Sequence, residues 1–360
     1  MKTQESVHSL DGPLPVTVEG LTREWLTSAL ATSSPGVVVE DVQVVQVIWG
    51  TATKVLLQLR YREPAPDGPP ARVCVKGAFD PALLQLGMAS AYQAEVDFYA
   101  LLAPDLSIPG PRCWYAAGNP DQQQAILIMD DLAATGHTFG EPTQPFTPDQ
   151  VSVGLDILAR LHASTEGADR KRHPWVPSSP VRAVADVFFT AEYWDAHFGG
   201  PDGPPVPPEL HDRHRVAAAF SELWAIEDAS ARAISHGDPH IGNTYLDNAG
   251  RPAFLDWQGV CIAPPMDDVA YLISGALSVA DRRTHERALL AHYQAAVTAA
   301  GGPSVSTDEA WLNYRREQLH GFLWSLTGPK MQPRERVFAM SERHVAAIAD
   351  HQTLSLLKHP

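Results

Sequence analysis

The run VVVEDVQVVQVIWG (37–50) is β-branched and partly alternating between apolar and polar positions, the pattern of a strand. TKVLLQLRYRE (53–63) predicts a second strand, and the link at 50–53 is short enough for a hairpin. A turn rich in Pro and Gly follows (64–70), and ARVCVKGA (71–78) predicts a third strand. From about 81 to 102 the period becomes helical, with Tyr92, Val96, Tyr99 and Ala100 near one face. PRCWYAAGNPDQQQAILIMDDL (111–132) predicts two further strands joined by an Asn-Pro-Asp turn. A short helix at LTREWLTSAL (21–30) precedes them all.

Beyond residue 132 the pattern is helical. TPDQVSVGLDILARLHASTEG (147–167) has a Thr cap and an apolar face through Val153, Leu155, Leu158 and Leu161. HFGGPDGPPVPPEL (197–210) predicts a surface loop, and helices are expected at about 209–230, 267–280, 282–300, 308–327 and 333–355. NTYL and PAFLDW read as a hairpin turning at DNAG (247–250). The expectation is an α+β chain: a β-rich N-terminal lobe with one main helix (1–132), a hinge near 129–133, and a larger helical C-terminal lobe (133–360).

Composition narrows the class. Hydrophobic residues make up 44% of the 360 positions and charged ones 19%, as in ordinary globular proteins. The 27 basic against 42 acidic residues, with no Lys/Arg cluster, argue against nucleic acid as a partner. Cys74, Cys113 and Cys261 are odd in number and lack CxxC spacing, so neither a disulfide framework nor a zinc site is supported. The first residues lack the basic-then-apolar order of a signal peptide, and no apolar run is long enough for a membrane span, so a cytoplasmic protein is expected.

Candidate chemistry concentrates in SHGDPHIGN (235–243) and FLDWQ (254–258). Turn formation explains Gly, Asn and Asp one at a time. It does not explain a second acid, Asp256, thirteen residues after Asn243 in an apolar frame. A hairpin between them would return Asp256 towards Asp238 and Asn243. An amide oxygen and a carboxylate are hard ligands suited to Mg²⁺, which is held by one or two carboxylates plus substrate phosphates. Asp238 is then left to accept a proton from an attacking hydroxyl. The alternative is two turns with incidental acids.

H-G-D-x-x-x-x-N followed by Asp at this distance resembles the catalytic and metal-binding loops of the protein-kinase-like fold. Gly after His makes it similar to the aminoglycoside phosphotransferase branch, and residues 235–273 look especially like ecdysteroid-kinase-like proteins and bacterial phosphotransferase relatives. The resemblance implies a bilobal protein-kinase-like fold, ATP and Mg²⁺ as cofactors, and a small-molecule hydroxyl acceptor.

It also implies roles. Lys76 in VCVKG would hold the α/β-phosphates, and Glu95 in YQAEVDFY would pair with it. Backbone groups near Asp130 and Leu132 would meet adenine. Gly50, Thr51 and Thr53 stand where kinases carry a glycine-rich phosphate loop, of which one glycine remains. Asp238 would be the catalytic base, with Asn243 and Asp256 as metal ligands. His236 and Asp268 would support the loop, with Asp267 as an alternative helix cap, and His240 reads either as a loop residue or as an acceptor contact. His162, in LARLHA, reads as a packing residue on the helix before the catalytic loop.

Only eleven residues separate Asp256 from Asp268, too few for the activation segment of a protein kinase, so a small acceptor is expected. Phe188, Phe189, Tyr193, Trp194, Trp311, Tyr314, Phe322 and Trp324 lean towards a less polar alcohol (a sterol, terpenoid, macrolide or hydroxyacyl compound), or else are helix-packing core. The other readings are an aminoglycoside O-phosphotransferase, a catalytically silent nucleotide-binding pseudokinase and a phosphate-releasing hydrolase.

Overall fold

The structure, a computed structural model, describes residues 12–50, 52–63, 66–80, 89–177, 179–329 and 331–357. Thr51 and residues 81–88 of the expected main helix lie outside them. The chain divides into two compact units: residues 1–138 with 256–258, and residues 139–255 with 259–360.

The first unit is built on an antiparallel sheet of β1 (Val39–Ile48), β2 (Thr53–Tyr61), β3 (Arg72–Gly77), β4 (Cys113–Asn119) and β5 (Gln124–Asp130), in the order β1-β2-β3-β5-β4. Alternation along β2 buries Thr53, Val55, Leu57 and Leu59 on one face. β5 lies between β3 and β4, and residues Gln124 to Met129 are all buried. Its unbroken apolar run is the signature of a central strand. Helix α1 (Arg23–Ala31) starts at Thr22, whose hydroxyl accepts from Trp25 N–H. Helix α2 (Ala89–Asp97) runs on into a wider turn over Phe98–Leu102.

The second unit is mainly helical. Helix α3 (Pro148–Ser164) begins with a capping box between Thr147 and Gln150. Val151 occupies the buried position of its first turn, and Val153 is only half-buried. α4 (Pro180–Phe188), α5 (Ala191–Gly199) and α6 (Arg213–Ala229) follow, so the segment expected to be a loop from 197 still belongs to α5 at its start. His197 explains this: its buried ring reaches the carbonyl of Ser325 at 2.8 Å. Short strands β6 (Ala233–Ser235) and β9 (Cys261–Ala263) pair with each other, and β7 (Thr244–Leu246) with β8 (Pro252–Phe254) forms the expected hairpin. Its turn is closed by Asp247, which accepts from Ala249 and Arg251 N–H.

Helix α7 (Pro265–Ala276) is buried on every side from Asp267 to Ala276, as befits a helix apolar nearly all round. α8 (Val279–Ala299), α9 (Thr307–Glu317) and α10 (Arg334–His351) complete the unit. The helix expected over 308–327 stops at Glu317 and gives way to a tighter turn over His320–Leu326. There Gly321 packs so closely on His344 that a Cβ would sit 2.0 Å from its Nδ1. Phe188, Trp194, Tyr314, Phe322 and Trp324 are all under 8% exposed and pack against one another or the surrounding core. These five are core residues, whereas Phe189, Tyr193 and Trp311 are half-buried.

Candidate functional site

In the first unit β3 presents Lys76 and α2 presents Glu95. The Lys76 ammonium lies 2.6 Å from Glu95 Oε2 and 2.9 Å from Asp256 Oδ1. Lys76 is 4% exposed and Glu95 2%. Burial alone would lower the Lys76 pKa, but Asp256 and Glu95 outweigh it and hold the ammonium charged beyond its ordinary range. Burial pushes the Glu95 carboxyl up, against the pull of Lys76. Asp256 adopts φ of +61°, a left-handed conformation that few non-glycine residues take. The next residue explains what holds it there. Trp257 stacks on Phe98 at the end of α2, with ring centroids 3.8 Å apart and planes 10° from parallel.

The remaining nucleotide candidates of this unit are less prominent. Gly50 is exposed in the β1–β2 link, and a Cβ there would meet nothing closer than 3.7 Å. Thr53 is fully buried, and its inward-facing hydroxyl makes no hydrogen bond, which leaves its backbone rather than its side chain facing the link. Asp130 accepts from the Trp114 indole (2.8 Å) and Arg112 N–H (3.2 Å). Asp131 pairs with Arg72 at 2.7 Å and caps the turn beginning at Leu132. The Leu132 carbonyl accepts from His137 N–H.

In the second unit the loop after β6 carries Asp238. Buried Asp268, on the first turn of α7, accepts from His236 N–H (2.7 Å) and Gly237 N–H (2.9 Å), and His162 Nε2 lies 3.1 Å from it. Contacts with His162 and His236 and the bond from Gly237 outweigh burial and hold the Asp268 carboxyl below its usual range. His162 meets the Tyr293 hydroxyl at 2.8 Å, a scaffold role. Asp267 is not the helix cap, a place taken by Pro264; it pairs with His320 at 2.8 Å.

His236 ties the loop together: its Nδ1 accepts from Asp238 N–H (3.3 Å), so Nε2 carries the proton it shares with the Leu255 carbonyl (2.9 Å). Gly237, at φ +79°, lies so close to Gly259 that a Cβ would come within 2.0 Å of its carbonyl oxygen.

The Asp238 side chain is 44% exposed. Asn243 Nδ2 donates to its Oδ2 and to its backbone oxygen, both at 3.0 Å. The amide oxygen of Asn243 is thereby turned away from Asp238. His240 accepts from Gly242 N–H at Nδ1, which leaves the proton on Nε2, a nitrogen 3.5 Å from Asp238 Oδ2; its ring meets Trp324 edge-on at 5.0 Å. Sequence reasoning missed one partner. Tyr271 donates to Asp238 Oδ1 at 3.1 Å and accepts from the Trp324 indole at 2.5 Å. Burial, then the charge of Asp238, raises the Tyr271 pKa well above its ordinary value and keeps the hydroxyl protonated. The available signal was its position three residues after Asp268, on the same helix face.

The structure thus brings together a buried lysine–glutamate pair on β3 and α2, and separately hangs an aspartate loop by its amides from a buried carboxylate. The chain belongs to the phosphotransferase enzyme family, whose model matches residues 85–306. The resemblance drawn from its motifs, and the kinase-like fold it implied, are borne out.

Solved structures resemble the chain to differing degrees. A GDP complex of a mutant aminoglycoside 2'-phosphotransferase-IIIa is 13% identical, with a TM-score of 0.50 over 91% of this chain and 98% of that one. Choline kinase from Streptococcus pneumoniae is 15% identical, with a TM-score of 0.49 over 91% and 98%. Macrolide 2'-phosphotransferase from Brachybacterium faecium is 16% identical, with a TM-score of 0.43 over 86% and 98%. No curated protein matches the chain in sequence. No helix among the described residues is long and apolar enough to cross a membrane.

Proposed function

We propose that the chain transfers the terminal phosphoryl group of ATP to a hydroxyl of a small molecule. The carrying observation is Asp238: a half-open carboxylate, fixed by Asn243 and Tyr271, on a loop whose amides are tied to buried Asp268. Such a group is held in place yet reachable, as a base for an alcohol must be. The acceptor oxygen attacks the terminal phosphorus, the bond to the bridging oxygen of ADP breaks, and the alcohol proton passes to Asp238.

Lys76, oriented by Glu95, holds the α/β-phosphates. Backbone groups at Asp130 and Leu132 take the adenine, and Gly50, Thr51 and the Thr53 backbone belong to the link nearest the phosphates in this reading. Asn243 and Asp256 would hold Mg²⁺. The donor set fits a hard cation: Asn243 commits its nitrogen to Asp238 and keeps its oxygen for a ligand. Mg²⁺ is commonly held by one or two protein ligands and takes its other oxygens from substrate phosphates and water. When bound, Mg²⁺ neutralises charge on the phosphates.

The test is ATP consumption across choline, ethanolamine, kanamycin, erythromycin and simple sterols, with a no-acceptor control. Acceptor-dependent ADP release with a phosphorylated product supports the reading. Release without acceptor points to a hydrolase, and nucleotide binding without turnover to a silent kinase.

A further inference from the structure

Tyr271 leaves α7 one turn after Asp268, so one helix face addresses the catalytic loop twice. Asp268 takes the amides of His236 and Gly237, and Tyr271 reaches the carboxylate of the next residue. A phenol has one proton to give. Here its direction is set, because the Trp324 indole, a donor only, fills the acceptor side of the Tyr271 oxygen at 2.5 Å.

The ring cannot swing. It is 6% exposed, stacked on His344 with centroids 5.1 Å apart and planes 15° from parallel, and edge-on to His320 at 5.1 Å. His344 is itself wedged against Gly275 and Gly321, where added Cβ atoms would come within 2.8 and 2.0 Å of its ring nitrogens. Asp238 is therefore gripped at two points, Oδ1 by Tyr271 and Oδ2 by Asn243. Two points fix the plane of a carboxylate, and with it the direction of the lone pair left for an incoming hydroxyl.

We propose that Tyr271, oriented by Trp324, is a positioning residue that fixes the carboxylate plane of Asp238 for the acceptor. This rests on the reading of Asp238 as the base. A residue of this kind acts on orientation, and misplacement of a reacting group by about 1 Å can cost on the order of 100-fold in rate. Tyr271→Phe keeps the caged ring and removes only the hydroxyl. With ATP and whichever acceptor of the panel is turned over fastest, kcat should fall 10- to 100-fold. The KM for ATP should stay within about twofold, since the hydroxyl addresses the base alone. A merely structural tyrosine would lower the melting temperature and leave kcat in place, which would overturn the proposal.

A second readout needs no acceptor. The indole N–H signal of Trp324, assigned with Trp324→Phe, is followed in ¹⁵N-correlated NMR spectra of the full chain. Asp238→Asn and Tyr271→Phe should both displace it, while the Trp25 indole stays put. If Asp238→Asn leaves the Trp324 signal unmoved, the base is not connected to this tyrosine and the proposal fails. If the wild type phosphorylates none of the panel, the phosphotransfer reading loses its support, and the indole signal still decides the positioning.

Discussion

The Lys76 cluster and the Asp238 loop hold their key side chains by opposite means. Lys76 is buried, and two carboxylates at 2.6 and 2.9 Å position it through charge. Asp238 is half exposed, and neutral donors, Tyr271 and the Asn243 amide, position it through direction. A buried ammonium must be paired, because an uncompensated charge in a low-dielectric interior is costly. A base that takes a proton during the reaction is better served by neutral partners, since a cation at hydrogen-bond distance would hold it in its charged form. The difference suits a residue that stays charged throughout and one that must change its charge.

The comparison breaks most visibly at Asp238. Asp238→Asn keeps the shape but, with one acceptor oxygen in place of two, can hold only one of the bonds from Tyr271 and Asn243, and it cannot take a proton. Turnover should fall by about 10²- to 10⁴-fold, with the ATP dissociation constant unchanged by equilibrium titration; retained turnover would remove Asp238 as the base. Lys76→Met is next. It leaves buried Glu95 beside Asp256 without a counter-charge, so unfolding in urea should show a loss of about 3–5 kcal/mol, together with lost nucleotide binding. Adding Glu95→Gln should restore much of the stability and none of the binding. An equally unstable double variant would show that charge pairing is not what holds this cluster.

A smaller effect is expected at the turn before the base. Gly237→Ala places a side chain at φ +79° and within 2.0 Å of the Gly259 carbonyl oxygen. A cost on the order of 2 kcal/mol follows from the strain, and kcat should drop because Asp238 is the next residue. Wild-type melting and kinetics in this variant would mean that the loop adapts, and that direction matters less there than the hydrogen bonds suggest.

Much of this was legible in the sequence because it depends on local pattern. Strand and helix patterns gave the third strand and the helix after it, the family resemblance singled out Lys76 and Glu95 on them, and turn chemistry with a fixed spacing singled out Asp238, Asn243 and Asp256. Tertiary features were not. Nothing local says that Trp257 stacks on Phe98, or that Tyr271 rather than another aromatic meets the base. Asp267 and Asp268 are adjacent and chemically identical, and only the packing of α7 assigns one to His320 and the other to the loop. Thr53 is the opposite case. Its period-two register with Val55, Leu57 and Leu59 points its side chain inward, so there the local pattern alone decides between hydroxyl and backbone.

Protonation sharpens the contrast at the smallest scale. His320 is fully enclosed; burial would lower its pKa, but Asp267 beside it raises it from 6.5 to about 9. The folded chain then keeps a proton that the unfolded chain releases near pH 6.5, so stability should fall by about 1.4 kcal/mol per unit as pH rises from 6.5 to 9. Glu227, pushed by burial and Asp267 to about 7, acts in the same direction at lower pH, whereas His344, which burial lowers to about 3, acts in the opposite one below 6.5. The two offset each other between pH 4.5 and 6.5, and above that the decline belongs to His320 together with Glu317, whose carboxyl burial, Glu227 and Asp267 push well up. Lys76 contributes nothing in this window: its pKa is raised above 10.5, so its pairing is lost only in strong alkali. Urea unfolding at pH 6.5, 7.5 and 8.5 should show the slope in the wild type and a shallower one in His320→Gln. A midpoint that stays fixed over that range in the wild type would mean that Asp267 does not hold His320 charged.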